Sequence, residues 1–368
     1  MSKPPLSSGR KAMYSIIILV FVLSIVFLVG ELAMRVLAKE KKLNPPYDTA
    51  EKDDYLGWKM KSGYTYEGEM LDVNRQPYQI SLRYDQNGFK AFGDTASTRP
   101  KVLFLGDSYT ASIEASNEQT FYNILADSLD FEVFAYGHAG FGTLQEYMVL
   151  DKWLDRIRPD VVVWETCSND FIDNHAPLEI ACGYKVGQRR PYLAEDGSIY
   201  YALAKSWWQR SLFLTWLKGR WDGVKQNLFK QEVHVGEYYI ATQKRDYPPF
   251  DESVKTTERI VAMIRKRLSE YSEFSKLVAF SADIYEPQMG EMKRIFEANG
   301  AEFYEAPARL LEQTMLEQKL PLKAVDNCHW SEQGQAVIAQ GLQEVLSFEL
   351  RVASDSLTQN SKPKTQNF

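Results

Sequence analysis

The stretch VLFLGDSYTAS, residues 102–112, places an apolar run directly before glycine, aspartate and serine. The run has the length of a buried strand, and Gly106, Asp107 and Ser108 suit the turn that ends it. Glycine tolerates positive φ, and Asp or Ser side chains bond nearby backbone. Turn chemistry alone therefore explains these residues. The competing interpretation is that the strand delivers a functional serine, because ligands of open α/β sheets bind outside the carboxyl ends of the strands.

Apolar runs of strand length recur after this stretch and alternate with amphipathic helices. This alternation is typical of parallel βαβ units that are covered on both faces. The spacing of apolar residues predicts a helix after Thr143 and a final helix over 331–346. A single doubly wound α/β sheet of about five parallel strands accounts for the pattern. The predicted strands cover residues 102–105, 132–136, 160–166, 276–281 and 302–304.

The composition fits a globular protein and excludes one class of partner. The chain has 368 residues, of which 45% are hydrophobic and 13% aromatic, so a sizeable core is expected. Its net charge is −6, whereas nucleic-acid-binding domains carry a basic surface. We therefore expect no DNA or RNA partner.

An uncharged apolar run, residues 13–30, lies near the N-terminus. It is about 18 residues long, near the lower limit for a membrane-spanning helix. A cleaved signal peptide is the competing interpretation, because basic residues precede the run. Glu31 and Arg35 stand where small residues should define a cleavage site, which favours an uncleaved anchor over 13–37 behind a short tail, 1–12. Basic residues on both sides leave the orientation undecided by charge.

Three further regions follow the anchor. Residues 45–98 predict a small β-rich preface from their alternation and turn signals. The main domain covers 99–350 and contains an aromatic-rich insertion at about 177–250. The polar tail 351–368 is predicted to be disordered, because it holds few apolar residues.

The centre of the insertion reads SWWQRSLFLTWLKGRW and carries a stripe of aromatic residues. Such a stripe is most often the buried face of a helix. The alternatives are a lid over the active cleft, aromatics that stack on sugars, and an interfacial helix at the level of the lipid headgroups. The stripe consists of Trp207, Trp208, Phe213, Trp216 and Trp221.

Polar or permissive residues follow the predicted strands. Ser108 follows the first strand, Gly140 the second and Asn169 the third, while Asp326 and His329 precede the final helix. The carboxyl ends of parallel strands meet at one edge of a sheet, so we expect these residues to gather there.

These segments resemble the sequence blocks of the SGNH, or GDSL, hydrolases. FLGDSYT resembles their nucleophile block, GHAGFGT the second, CSND the third and DNCHW the D-x-x-H block. The blocks occur in the family's order, from residue 102 to about 348. The resemblance implies a flavodoxin-like, three-layer α/β/α SGNH-hydrolase fold and a serine ester hydrolase. More loosely, DDYLGW and RYDQNGF resemble the N-terminal region of membrane-anchored SGNH proteins of bacterial surface-polysaccharide systems.

The chemistry of these residues fits that implication. A serine hydroxyl needs a base to accept its proton, and the base needs an orienting group. Ser108, His329 and Asp326 supply this set, since an acid three positions before a histidine can bond its ring and fix the tautomer. The resemblance assigns the oxyanion hole to the amides of Ser108 and Gly140 and to the side chain of Asn169.

The remaining histidines predict no metal site. His138 and His175 lie near the blocks and are expected to be structural or solvent-facing, and no motif surrounds His234. No pair of the four histidines has metal-ligand spacing, so we expect neither a catalytic metal nor a cofactor.

One position departs from the family pattern. Cys167 stands where the third block usually opens with glycine, and Cys328 lies beside the proposed base. A Cys167–Cys328 disulfide is therefore one hypothesis. A Cys167–Cys182 pair and three free thiols are the alternatives.

The function predicted from these features is a serine esterase that removes small acyl groups, chiefly O-acetyl, from a carbohydrate or related ester. The alternatives are an O-acyltransferase acting on an envelope glycan, a lipid esterase, and a non-catalytic polysaccharide-assembly factor. The predicted partners are the acylated substrate, the membrane and the envelope polysaccharide machinery. The resemblance places the catalytic domain on the periplasmic side of a bacterial inner membrane.

Overall fold

The computed structural model describes residues 8–37, 46–183, 188–203, 210–229, 235–271 and 276–360. By their contacts these residues form two units. The first combines residues 1–43 with 205–235, and the second combines 44–204 with 236–368. Trp207, Trp208 and His234 lie outside the described residues.

The strands all belong to the second unit and bear the labels β1 to β12 in chain order. They are β1 Ala50–Asp53, β2 Gly57–Met60, β3 Thr65–Leu71, β4 Pro77–Arg83, β5 Ala91–Phe92, β6 Lys101–Gly106, β7 Glu132–Gly137, β8 Val161–Thr166, β9 Arg190–Leu193, β10 Ile199–Ala202, β11 Lys276–Ser281 and β12 Glu302–Tyr304.

The helices bear the labels α1 to α12, and α1 and α7 belong to the first unit. They are α1 Ser8–Leu37, α2 Ser108–Ala111, α3 Phe121–Leu129, α4 Thr143–Ile157, α5 Asp170–Asp173, α6 Ala176–Cys182, α7 Leu212–Phe229, α8 Val235–Gln243, α9 Pro248–Tyr271, α10 Gln288–Ala298, α11 Ala306–Gln318 and α12 Glu332–Asn360.

The second unit is built on a six-stranded sheet with the order β12-β11-β8-β6-β7-β5. All neighbours from β12 to β7 pair in parallel, and β5 is antiparallel to β7. Without β5, this is the flavodoxin-like strand order, and its switch point lies between β6 and β8. The five parallel strands that the sequence predicts are all present, and their bounds differ by at most one residue.

Alternation along the central strands explains the three layers. On β6, Leu103 and Leu105 pack on one side of the sheet, whereas Val102 and Phe104 pack on the other. Helices α4, α9 and α10 supply apolar residues to the first side, and α3, α11 and α12 supply them to the second. A strand buried on both faces must be apolar throughout, as β6 is. The predicted α/β/α architecture is confirmed.

The β-rich preface contributes to the core of this unit. Strands β1 and β2 form one antiparallel hairpin, and β3 and β4 form another. Leu56, Trp58 and Phe89 pack in the same apolar cluster as Leu103 of β6. Strand β5 adds an antiparallel edge that was not predicted, because a two-residue strand carries no periodic signal.

The structure differs from the sequence-based expectations at the end of α12 and within the insertion. Helix α12 continues to Asn360, so the prediction of disorder from residue 351 is wrong for 351–360. This decapeptide contains neither proline nor glycine, and extending an existing helix carries no nucleation cost. Within the insertion, the hairpin of β9 and β10 was not predicted, although its Asp196-Gly197 turn is a recognised hairpin signal.

The first unit consists of the described parts of α1 and α7. Helix α1 is long and apolar enough to cross a membrane. The aromatic ring of Phe213, at the start of α7, packs against Phe27 of α1 with ring centroids 6.2 Å apart. Trp216 and Trp221 remain exposed. Of the described members of the aromatic stripe, these two are therefore not on a buried face, because the contact with α1 is made at Phe213.

Candidate active site

Ser108 lies at the carboxyl end of β6, in the first position of the short helix α2. Asp107 precedes this helix, and its carboxylate accepts a hydrogen bond from the Tyr109 backbone N–H at 3.0 Å. Gly106 ends the strand close to Glu165. A Cβ added at Gly106 would lie 2.2 Å from a carboxylate oxygen of Glu165. The turn chemistry and the position of the serine at the strand end are thus parts of one arrangement.

The structure brings Ser108, His329 and Asp326 into one chain of hydrogen bonds. The His329 Nε2 atom lies 2.8 Å from Ser108 Oγ, and Nδ1 bonds the Asp326 carboxylate. That carboxylate also accepts the backbone N–H groups of Cys328, at 2.9 Å, and His329, at 3.1 Å. Asn327 adopts φ 57°, and this left-handed residue folds the segment so that acid and imidazole meet. The three residues predicted for catalysis therefore lie together.

A second carboxylate lies next to the imidazole and was not predicted. Glu114 is only 3% exposed, and its Oε1 atom lies 3.7 Å from His329 Nδ1. Burial opposes the charged imidazolium, but the hydrogen bond to Asp326 and the charges of Glu114 and Asp326 outweigh it and raise the pKa of His329 to about 10. Burial would raise the pKa of Asp326, but the bond from His329 lowers it instead. No motif surrounds Glu114 in the sequence.

Two of the predicted oxyanion donors are backbone amides. Neither the Ser108 N–H nor the Gly140 N–H has an acceptor in the part of the chain that the structure describes. Gly140 follows β7 and adopts φ 73°, a conformation that glycine takes without strain. The end of β7 packs closely on α2, since a Cβ on Gly137 would lie 2.5 Å from the Asp107 carbonyl oxygen. The two loops are thereby held side by side.

Asn169, the third predicted oxyanion donor, is committed to other partners. Its Nδ2 atom donates to Asp107 Oδ2 at 3.2 Å and to Asp173 Oδ2 at 2.9 Å. Its carbonyl oxygen accepts from the Cys167 thiol. Both amide hydrogens are therefore used within the protein, and binding an oxyanion would require Asn169 to exchange one of these bonds.

Arg190 joins the two loops behind the predicted oxyanion donors, and sequence reasoning missed it. It is 1% exposed on β9. Its guanidinium donates to the Gly140 carbonyl at 2.5 Å and to Asp173 Oδ1 at 2.7 Å. It also bonds Gln145 Oε1 at 2.9 Å and Glu179 Oε2 at 3.2 Å. Through Asp173 it reaches Asn169, so a single side chain connects the loops after β7 and β8.

A group of buried carboxyls lies beneath the site. Burial, reinforced by the charges of neighbouring carboxylates, raises the pKa values of Glu146, Glu165 and Asp170 well above their usual range. Each has one oxygen without a hydrogen-bond partner among the described residues. Glu165 nevertheless bonds the Asp107 N–H through its other oxygen, at 3.1 Å. Burial thus favours the neutral form of these carboxyls, and Glu165 supports the residue before Ser108.

Among the residues that the structure describes, two sets of side chains have the geometry to hold a metal ion. One set is Asp107, Glu165 and Cys167, and the other is Glu114, Asp326 and His329; within each set the ligand atoms lie within 4.8 Å of one another. In the first set the Cys167 thiol, whose pKa burial raises, donates to Asp107 Oδ2 at 3.1 Å. In the second, Asp326 already holds the imidazole. Hydrogen bonds account for both sets, and the expectation of no catalytic metal stays a prediction.

The three cysteines are free thiols. Cys167 bonds Asp107, whereas the Cys328 sulfur lies 3.2 Å from the Tyr109 hydroxyl. The predicted Cys167–Cys328 disulfide and the competing Cys167–Cys182 pair are both absent, because each sulfur at the site has a different neighbour.

The other described histidines are not part of the hydrogen-bonded chain. His138 is 3% exposed, and burial lowers its pKa to about 4. Its Nδ1 atom lies 3.1 Å from the Ala139 carbonyl oxygen. Burial also lowers the pKa of His175. Both are therefore neutral at pH 7, which fits a structural role.

Several solved structures resemble this chain at low sequence identity. The esterase EstA from Pseudoalteromonas sp. is 14% identical and has a TM-score of 0.38, with 68% of this chain and 98% of that chain covered. A carbohydrate esterase family 2 enzyme from Corynascus thermopiles (Myceliophthora fergusii) is 12% identical and has a TM-score of 0.41, with coverage of 79% and 88%. The Clostridium thermocellum family 3 carbohydrate esterase is 14% identical and has a TM-score of 0.37, with coverage of 69% and 98%. No family model and no curated protein matches the chain.

Proposed function

We propose that this protein is a serine ester hydrolase whose nucleophile is Ser108. The observation that carries the proposal is the continuous bonding from Asp326 through His329 to Ser108, beside two amides that lack an acceptor among the described residues. Turn chemistry alone gives no reason for an imidazole to lie 2.8 Å from this hydroxyl. A nucleophile, its base and the orienting acid need this arrangement.

The reaction begins with attack of Ser108 Oγ on the acyl carbon, while His329 Nε2 takes the hydroxyl proton. The negative charge on the carbonyl oxygen is stabilised by the N–H groups of Ser108 and Gly140. Asp326 stabilises the imidazolium, which then protonates the leaving alcohol. Water, activated by the neutral imidazole, attacks the acyl-enzyme and releases the carboxylic acid and Ser108.

The proposed substrate is a small acyl group, chiefly acetyl, on a carbohydrate. Asp326 is exposed and Ser108 and His329 are half-buried, so the catalytic residues lie at the surface. An acyl group on a large polymer can reach such a site without threading through a tunnel. The sequence resemblance to envelope-polysaccharide proteins supports the same substrate class. A sugar hydroxyl that replaces water would turn the same residues into an acyltransferase.

For the location, we propose that α1 is an uncleaved anchor and that the catalytic unit lies on the periplasmic side of a bacterial inner membrane. The length and apolar character of α1 support the anchor. The side rests on the sequence resemblance. Fusion of alkaline phosphatase to the C-terminus tests it, because this reporter is active only outside the cytoplasm.

The decisive experiment is labelling of the full chain, in detergent, with a fluorophosphonate probe. We expect wild type and the control variant Ser62→Ala, at an exposed serine, to label equally. Ser108→Ala should not label, and His329→Ala should label much more slowly. Labelling that survives Ser108→Ala would refute the assignment of the nucleophile. Release of acetate from an acetylated glycan, with and without acceptor sugar, then separates hydrolysis from transfer.

A further inference from the structure

Helix α7 is attached to α1 by a partly buried contact at Glu31. The Glu31 carboxylate accepts a hydrogen bond from Ser211 Oγ at 2.7 Å and from the Phe213 backbone N–H at 3.0 Å. It also pairs with Arg35 at 2.8 Å, one turn along α1. Free N–H groups at the start of a helix need acceptors, and a carboxylate also favours the positive end of the helix dipole. Glu31 therefore caps α7 from another helix.

The position of Glu31 along α1 determines how deep the contact between α1 and α7 would lie in a membrane. The uncharged part of α1, residues 13–30, spans about 27 Å at a rise of about 1.5 Å per residue. That length is close to the hydrocarbon thickness of a bilayer, about 30 Å. If α1 crosses a membrane, its first charged residue after this run, Glu31, lies at the membrane face. The start of α7 lies there too.

The packing beside Glu31 reaches into the apolar run. The Phe213 ring contacts Phe27, and it lies so close to Gly30 that an added Cβ would be 2.7 Å from the ring. Gly30 thus leaves the space that the ring occupies. The first turn of α7 contacts both the charged end and the apolar part of α1.

The described part of α7 exposes large apolar side chains on the side that carries Phe213. At about 100° per residue they fall on about half of the helix circumference, and Phe213 and Arg220 lie on the same half. The Arg220 guanidinium lies 5.6 Å from the centre of the Trp216 ring. Trp with a neighbouring basic residue is typical of the lipid headgroup region. The exposed side chains are Leu212 (37%), Trp216 (43%), Leu217 (49%), Trp221 (57%) and Val224 (41%).

We propose that α7 is a second membrane contact, lying in the lipid–water interface beside α1 with this apolar face toward the bilayer. The occupant of the face is the bilayer that α1 crosses, because the face is continuous with the α1 contact and begins at membrane depth. The insertion therefore contributes a membrane-binding element, in addition to any part in catalysis. The attachment through Glu31 also requires that α1 is retained in the mature chain.

The test is depth-sensitive fluorescence on the full chain in phosphatidylcholine and phosphatidylglycerol vesicles. The exposed Cys328 is replaced by serine, and the environment-sensitive dye NBD is attached through Leu217→Cys. The matched control carries the dye through Asp196→Cys, on the exposed turn between β9 and β10. Thermal unfolding of both labelled chains verifies that they fold alike.

We expect emission from residue 217 to be blue-shifted and quenched by spin-labelled lipid several-fold more than emission from residue 196. Aqueous iodide should show the opposite preference. Iodide quenching at 217 as strong as at 196 would overturn the proposal. Protection from both quenchers would also overturn it, because a protein surface or a second copy of the chain would then cover α7. An intact mass that lacks α1 would overturn it as well. None of these readouts depends on catalytic activity.

Discussion

Two regions of the molecule differ in which groups they bury. The first, called the rim, is formed by the residues around Ser108 and His329 at the carboxyl end of the sheet, and the second is the pair of helices α1 and α7. At the rim, charged side chains such as Arg190 and Glu114 are almost fully buried, and Arg190 pairs with Asp173 and Glu179. In the pair, large apolar side chains such as Trp221 and Leu217 are exposed. Burying charge is costly unless it is bonded, and exposing apolar surface is costly in water. The rim therefore has the features of a reaction site, whereas the α1–α7 pair has the features of a surface that faces lipid.

The largest expected effect tests the chemistry of the rim. Ser108→Ala should lower kcat on a soluble acetyl ester by about a million-fold, and Asp326→Asn by about 10,000-fold, because the second retains the nucleophile and base but loses the correct tautomer. Stopped assays for released acetate measure both. Thermal unfolding close to wild type shows that the fold is intact. An Asp326→Asn enzyme with unchanged kcat would remove Asp326 from the mechanism.

The second prediction concerns Arg190, the buried link between the loops after β7 and β8. Arg190→Lys keeps the charge but cannot bond Gly140 and Asp173 at once. Since the Gly140 amide then loses its fixed position, we expect kcat to fall by about 100-fold with a smaller change in KM. The control is Arg259→Lys, at an arginine that also bonds backbone carbonyls but at Ala194 and Glu195. Equal losses in both variants would show a general effect on stability.

The third prediction uses the buried charge beside the imidazole. The pKa of His329 is raised to about 10, and only the neutral ring accepts the Ser108 proton, so kcat should rise with pH well above neutrality. Glu114→Gln removes a negative charge that favours the imidazolium. The pKa of His329 should fall, and the rising limb should move to lower pH by about one unit. The groups that face the ring are Asp326, Glu114, Tyr109 and Cys328, and the buried Lys90 acts on Glu114.

A pH–rate profile of kcat from pH 6 to 11 measures this shift. Glu118→Gln, at an exposed glutamate bonded to Arg83, is the matched control and should leave the limb in place. A limb that stays in place in Glu114→Gln, or moves to higher pH, would contradict the proposed influence of this carboxylate.

The smallest expected effect concerns the α1–α7 pair. Glu31→Ala removes the cap of α7 and should weaken the first turn of this helix. Hydrogen exchange at the first turn of α7 should accelerate about fivefold, whereas exchange in β6 should not change. Glu31→Gln keeps an acceptor oxygen and should give an intermediate rate. Unchanged exchange in Glu31→Ala would mean that the cap does not hold α7.

The sequence predicted the parts of the rim that depend on local pattern. The strands recur as apolar runs, and Ser108, Gly140, Asn169, Asp326 and His329 follow or precede them at recognisable motifs. The free thiol of Cys167 and the hydrogen bonds of the Asn169 amide could not be predicted. The thiol bonds Asp107, and the amide bonds Asp107 and Asp173. Cys167 and Cys328 both belong to motifs that meet at the site, but their sulfur atoms have different neighbours.

Local periodicity was enough for the strand positions, for a doubly wound parallel α/β sheet and for an apolar helix of membrane length, because buried faces impose alternation and helical spacing on the chain. The flavodoxin-like form of the sheet was implied by the family resemblance. Contacts between distant segments leave no such period. Arg190 meets the Gly140 carbonyl across 50 residues, and Ser211 meets Glu31 across 180. Tertiary structure alone decided these contacts and the position of Glu114 at the imidazole. Each one depends on how packed elements bring side chains together, which no single segment of sequence encodes.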